Sequence, residues 1–285
     1  MAATGPYLSA RDYFHRELKK KPDLARRVKL AEDINSWFKN AWFKNETAFS
    51  DLLEVENYIA HLAAVTVLFV ESPGSIAELG AFAASDHLRR KTVAVLNEAH
   101  DSENTFIAEG PVRKLRNDDK NHVLYYNWDS GTPNSRSTRR VFGDIAKALT
   151  TVIEERDANR PKEPEFKRDN VGHTLLLIAD LVRVAGAVSR SDLTACLEVL
   201  ACDSSNDTLN RHISILESVG IVAKRRRHVE IFYVPAFSQL HIRYAFVAGA
   251  RYRDAARIQH AVRESLDSHR RSVLTSSLKK AGPSV

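Results

Sequence analysis

The run Val65-Thr-Val-Leu-Phe-Val70, followed at once by Glu71-Ser-Pro-Gly74, constrains this chain more than any other stretch. A strand made almost wholly of β-branched and apolar residues has no face for water. It belongs inside a parallel sheet with helices above and below. The surrounding segments agree. Ser9 to Lys21 reads as a helix and Arg27 to Ala31 as a short strand. Asp33 to Asn45 carries Ile34, Trp37, Phe38 and Ala41 at helical spacing, and Asp51 to Ala63 repeats the pattern with Leu52, Val55, Ile59 and Leu62. A helix from Ser75 to Arg89, strands at Thr92–Leu96 and His122–Trp128, and a helix from Arg136 to Arg156 follow. Strands alternating with helices predict a doubly wound α/β sheet, with ligands at the carboxyl ends of its strands.

The turn after the first clear strand is therefore where chemistry is expected. In Val70-Glu-Ser-Pro-Gly-Ser-Ile-Ala-Glu-Leu-Gly80 a buried strand meets a helix N-terminus, whose free N–H groups and dipole attract phosphate. Gly74 permits close backbone approach, Ser72 and Ser75 offer hydroxyls to sugar or phosphate, and Gly80 would let the helix pack close to the sheet. Glu78, about one turn into the helix, can reach back toward the same spot. Ser75-x-x-Glu78 also fits a capping box, in which serine and glutamate satisfy each other's backbone amides. Spacing alone leaves both readings open.

Gly74-Ser-Ile-Ala-Glu-Leu-Gly80 resembles the Gly-Thr-x-x-Glu-x-Gly segment of nucleoside 2-deoxyribosyltransferases. The wider pattern, Leu53-Glu-x-Glu-Asn57 with Glu71 to Phe82, resembles the deoxyribosyltransferase-like effectors encoded beside bacterial retrons, over most of residues 5–157. The resemblance implies a Rossmann-like fold, with Glu78 as the nucleophile that attacks the anomeric carbon. It implies N-glycosidic cleavage, with NAD as substrate rather than cofactor, and defence by cell arrest. A carboxylate suits this step, because it stabilises or traps the oxocarbenium-like sugar, and nicotinamide departs neutral. The chain departs from the transferase pattern at Ser72, where an acidic residue usually orients the base, which favours a hydrolase. The strand expected before Gly5-Pro6 is reduced to Met1-Ala-Ala-Thr4.

Further candidates carry less. Glu32 and Asp33 follow the Arg27–Ala31 strand where a ribose partner would sit, though Asp33 could equally be an N-cap. Gly110-Pro-Val-Arg113 resembles another effector segment, in which Arg113 would meet phosphate; a solvated arginine is the alternative. Trp37, Trp42 and Phe43 read as core, and the Lys19–Lys21 and Arg89–Lys91 runs as solvated helix ends.

Glu154 to Asn170, with its prolines and dense charge, separates two domains, placed at residues 1–158 and 171–285 with a linker between. Residues 1–160 hold 23 Lys+Arg and 23 Asp+Glu, whereas residues 161–285 hold 19 and 13, so the second half carries the whole net charge of +6. That asymmetry points to nucleic acid. Helices at Gly172–Gly186, from Ser189 and at Thr208–Val219 precede Ile221-Val-Ala, Lys224-Arg-Arg-Arg-His228 and Val229 to Val234. The order resembles an α+β winged helix-turn-helix domain. Thr208, Asn210 and Arg211 would then face bases or backbone, and Lys224, Arg225, Arg226 and Arg227 the phosphates. Arg243, Arg251, Arg253 and Arg257, interleaved with aromatics, could extend that surface or make an oligomer contact.

No apolar stretch spans a bilayer and the N-terminus lacks a signal-peptide core, so a cytoplasmic protein with reduced packing cysteines, Cys196 and Cys202, is expected. No metal site is expected. The expected partners are a nucleotide substrate and, through the retron resemblance, the reverse transcriptase and its small DNA. A regulator that senses a nucleotide without cleaving it, and a nucleoside or DNA deoxyribosyltransferase, are the alternatives.

Overall fold

A computed structural model describes residues 5–25, 27–34, 49–100, 105–159, 165–236 and 255–281. The chain divides into two compact units, Met1–Leu30 with Ile59–Arg160, and Ala31–Tyr58 with Pro161–Val285.

The first unit is built on three parallel strands in the order β1 (Thr66–Val70), β2 (Thr92–Asn97) and β3 (Val123–Tyr126). Thr66 pairs with Thr92, and Ala94 with Val123. Val93, Ala94, Val95 and Leu96 of the middle strand are all fully buried. Side chains alternate across a strand, so its two faces need separate covers. Phe69, Val93 and Val95 pack with Phe14 and Leu18 of α1 (Ala10–Lys19) and with Phe142, Ile145 and Leu149 of the long closing helix, Arg136–Ala158. Leu68, Val70, Ala94 and Leu96 pack instead with Leu79 and Phe82 of the helix Pro73–Ala84 and with Val112 and Leu115. The result is a mixed α/β arrangement consistent with a Rossmann-like fold.

Numbered in chain order, α2 is Pro22–Ala25, α3 Leu52–Leu62, α4 Pro73–Ala84, α5 Asp86–Arg89, α6 Arg113–Asp118 and α7 Arg136–Ala158. A π-helical turn, Ala108–Val112, leads into α6. Four expectations change. Residues 27–30 form no strand, and residues 31–34 are helical, so Asp33 lies inside a turn rather than capping it. The single helix expected over Ser75–Arg89 breaks at Ser85, whose extended backbone ends α4 and whose hydroxyl caps α5. A side chain at Gly80 would meet nothing within 4 Å, so close packing does not explain that glycine. The 89–91 run is solvated only at Arg90: Arg89 pairs with Asp86 and Asp118 at 2.6 and 2.7 Å. Lys91 donates to the carbonyls of Ala60 and His61 at 2.7 and 3.2 Å, and burial pulls its pKa down to about 8. It holds the carbonyl end of α3.

In the second unit α8 (Val171–Ala185), α9 (Arg190–Val199) and α10 (Asn206–Ser218) precede an antiparallel hairpin of β4 (Val222–Arg227) and β5 (Glu230–Pro235). Helices α11 (Ala255–Glu264) and α12 (Ser268–Ala281) follow. Leu175, Ile178, Val182, Leu193, Leu197, Leu209, Ile215 and Leu216 are fully buried. Ser189 starts α9 with a capping box closed by Asp192. Val188 exchanges backbone hydrogen bonds with Tyr233 at 3.0 and 2.7 Å, extending the hairpin by one bridge. Cys196 and Cys202 are free thiols, and Cys196 is exposed rather than packed. No helix among the described residues is long and apolar enough to cross a membrane.

Gly186 ends α8 at φ +83°, where an added Cβ would approach Leu274 to 2.9 Å. Gly186→Ala combines backbone strain with that clash and should lower unfolding free energy by about 1–3 kcal/mol, read from urea denaturation.

Candidate functional site

The site begins where β1 runs out. Ser72, in extended backbone, is the N-cap of α4 and accepts the Ser75 N–H at 3.2 Å. The Ser75 hydroxyl accepts the N–H groups of Glu71 and Ser72 at 3.0 and 2.9 Å and donates to the Ser72 carbonyl at 2.8 Å. Ser72 and Ser75 thus close the capping box, which is not the Ser75–Glu78 box that spacing left open as one reading. Ser75 is buried and its hydroxyl occupied; Ser72 and Gly74 are exposed. A side chain at Gly74 would meet only the Ser72 hydroxyl, at 3.7 Å, leaving the first turn of α4 uncovered by the described residues.

Glu78 is half-buried, four residues after Gly74 on the same helix face. Helical side chains lean toward the N-terminus, so a carboxylate here is carried toward the turn that Gly74 leaves bare. The same edge gathers other helix starts. The Ala10 N–H at the start of α1 donates to Glu71 Oε1 at 3.0 Å, so the amino ends of α1 and α4 meet at Glu71. Asn134, just before α7, bonds both backbone groups of Tyr7 at 2.8 Å. The guanidinium groups of Arg16 and Arg139 lie 5.0 and 5.8 Å from the Tyr7 ring centre. Arg16 is paired with Asp12 at 2.8 Å and Glu71 brings a carboxylate to the same edge, so the helix amino ends and Arg139 are what favour an anion here. Glu71, Tyr7, Arg16 and Arg139 were not singled out in the sequence, because their signal is tertiary: Tyr7 and Asn134 are 127 residues apart.

The other expected residues are placed differently. Arg113 is exposed at the start of α6 and paired with Glu109 at 2.6 Å. Glu32 and Asp33 are exposed and belong to the second unit. Trp37, Trp42 and Phe43, and likewise Arg243, Arg251 and Arg253, lie outside the described residues.

In the second unit, the residues expected to read nucleic acid are largely engaged with their own chain. Thr208 donates to Asp203 at 2.7 Å, Asn210 accepts from Arg190, and Arg211 sits 3.3 Å from Glu54. The hairpin corrects the expected turn: Lys224 to Arg227 lie in β4, and the reversal falls at His228 and Val229. Two-residue alternation then splits the cations. Lys224 and Arg226 are exposed, whereas Arg225 and Arg227 are half-buried on the other face. Arg227 donates to the Ser272 hydroxyl, and Arg225 Nε is buried without a hydrogen-bond partner.

Residues 7–224 match the family described as the STM3845 retron effector protein. The chain belongs to this retron effector family. Over 222 residues it is 25% identical to a retron Ec73 protein of Escherichia coli provisionally named a ribosyltransferase/DNA-binding protein, which spans 73% of the chain and 67% of the relative. A retron Ec86 protein of the same organism, with the same provisional name, is 45% identical over 73 residues, 26% of the chain and 24% of the relative. The effector match covers the Ser72–Glu78 turn and the first half of β4, ending at Lys224.

The effector also buries a titratable group beside Arg211. His212 is 3% exposed, its Nδ1 lacks a hydrogen-bond partner, and the Tyr58 ring lies 5.9 Å away. Burial pushes its pKa down to about 4, with Asp203 opposing and Arg211 assisting. The unfolded chain, near pKa 6.5, binds this proton first, so the stability His212 contributes is present above pH 6.5 and is lost as pH falls toward 4. Stability should fall by about 2 kcal/mol between pH 7 and pH 5 from this group. Urea denaturation at both pH values should show that loss in the parent and a smaller one in His212→Gln.

Proposed function

We propose that this retron effector cleaves the N-glycosidic bond of NAD or a related nucleotide, with Glu78 as the catalytic carboxylate. The observation that carries the reading is the α4 capping box. Ser75, not Glu78, occupies its third position, so capping does not account for a glutamate on the Gly74 face. A nucleotide phosphate would take the Gly74 N–H, which the capping box leaves unused, with the exposed Ser72 hydroxyl beside it, and its ribose would lie toward Glu78. As the C1′–N bond breaks, its electron pair neutralises the ring nitrogen of nicotinamide. Glu78 stabilises the electron-poor sugar or bonds to C1′, and water then supplies the hydroxyl and releases a proton. The relatives' names speak of ribosyl transfer. A serine at position 72, where the transferases carry an acid, favours water as acceptor, and product analysis separates hydrolysis from base exchange.

The second unit, in this reading, is a winged-helix module that docks on the retron reverse transcriptase and its small DNA in the cytoplasm. Restraint by that complex keeps the enzyme silent until phage infection. The residue order of three helices and a hairpin, the basic β4 and the DNA-binding names of the relatives support it.

Two experiments test these assignments. Glu78→Gln keeps the side-chain volume and should reduce base release from NAD by at least ~100-fold, with an unchanged melting curve. A soluble Glu78→Gln protein that still releases base at the parent rate removes Glu78 from the mechanism. For DNA binding, replacing Lys224 and Arg226 with alanine should weaken binding and lower its salt slope by about two units, because both cations are solvent-facing. Replacing Arg225 and Arg227 should instead lower thermal stability. Fluorescence anisotropy with labelled DNA at several salt concentrations reads the first effect and a melting curve the second.

A further inference from the structure

In the second unit, α11 and α12 border an open cleft of about 650 Å³ lined by Ala256, Gln259, His260, Arg263, Glu264 and Arg271. Its two arginines are held by main-chain carbonyls. Arg263 Nη2 donates to the Arg183 carbonyl at 3.4 Å, which also accepts from Gln259 Nε2 at 3.1 Å, and Arg271 Nη2 donates to the Glu264 carbonyl. Neither guanidinium has an ion-pair partner among the described residues. A carbonyl fixes the plane of a guanidinium but leaves its charge whole. Capping the last turn of α8 accounts for one donor of Arg263, and capping the last residue of α11 for one donor of Arg271, which leaves the other donors of both.

The Arg263 environment is costly for a cation. Its Nε is buried with no hydrogen-bond partner and packs 3.4 Å from where a Gly186 Cβ would sit. Burial, and then the neighbouring Arg183 charge, lower its pKa. The carboxylate on the cleft, Glu264, is 71% exposed and leans on His260 Nδ1 at 3.4 Å, a solvated pair that neutralises little.

We propose that this cleft binds a phosphate group, carried by a free nucleotide or by a nucleic-acid strand, between Arg263 and Arg271. Oriented guanidinium forks match phosphate oxygens, and a volume of this order suits a small ligand. The proposal is independent of base cleavage, since its measurement is binding.

Titration calorimetry of the full chain with pyrophosphate, ADP and a short single-stranded DNA tests it. Arg271→Gln should weaken at least one of these at least tenfold, and Arg263→Gln likewise. Glu264→Gln, by removing a repulsive carboxylate, should tighten the same ligand about threefold, roughly the effect of one screened surface charge. Losses confined to pyrophosphate and ADP identify a free nucleotide, and losses confined to DNA a strand. Should Arg263→Gln fail to fold, the exposed Arg271 decides alone. Absence of binding by the parent protein, or affinities in Arg271→Gln within twofold of the parent for all three probes, overturns the proposal.

Discussion

The first unit depends on the complete enclosure of β2. Val93, Ala94, Val95 and Leu96 have no exposure at all, and alternate residues face opposite sides. Each side must therefore be covered: one by α1 and α7, the other by α4 and the segment around Leu115. With both faces closed, the edge where the strands end is the open part of the sheet. Helices that cover a parallel sheet begin at that edge, so their unpaired N–H groups collect there. The anion-favouring region is thus a consequence of burying the strands.

Within that region the Ser72–Ser75 pair organises the backbone. One hydroxyl, that of Ser75, is bonded to two amides and a carbonyl of the turn, satisfying groups that a buried helix start would otherwise leave unpaired. This separates two roles that the sequence merges. Ser75 builds the turn, Gly74 keeps it uncovered, and Glu78 stands beyond the cap.

The hairpin shows the same division of labour. Four adjacent cations read as one basic patch along the chain, yet a strand sends neighbours to opposite faces. Lys224 and Arg226 face water, while Arg227 reaches Ser272 and Arg225 is half-buried. Charge that sequence counts as one surface is divided between a surface and a packing contact.

Periodic and local features were legible in the sequence. The apolar run Val65–Val70, the strand at Thr92, the helix from Arg136, the helix start at Ser189 and the three helices before the hairpin follow from spacing and turn residues alone. Candidate Glu78 was legible too, through its place in the motif. What the sequence left undecided depends on contacts between distant residues. Arg27 to Leu30 has strand-like composition but forms no strand, because pairing requires a neighbouring strand edge as well as propensity. Lys91 looks like a surface charge until the carbonyls of Ala60 and His61 are folded against it. Tyr7 gains Arg139 and Asn134 only when segments about 130 residues apart meet, and Arg263 and Arg271 share a cleft only once α11 and α12 are packed. Sequence by itself determined the strands, the helices and the catalytic candidate, since hydrophobic period and capping act over a few residues. Tertiary structure decided which hydroxyl caps, which cations are buried and which charges stay unpaired, since hydrogen bonding and desolvation depend on neighbours the local sequence does not contain.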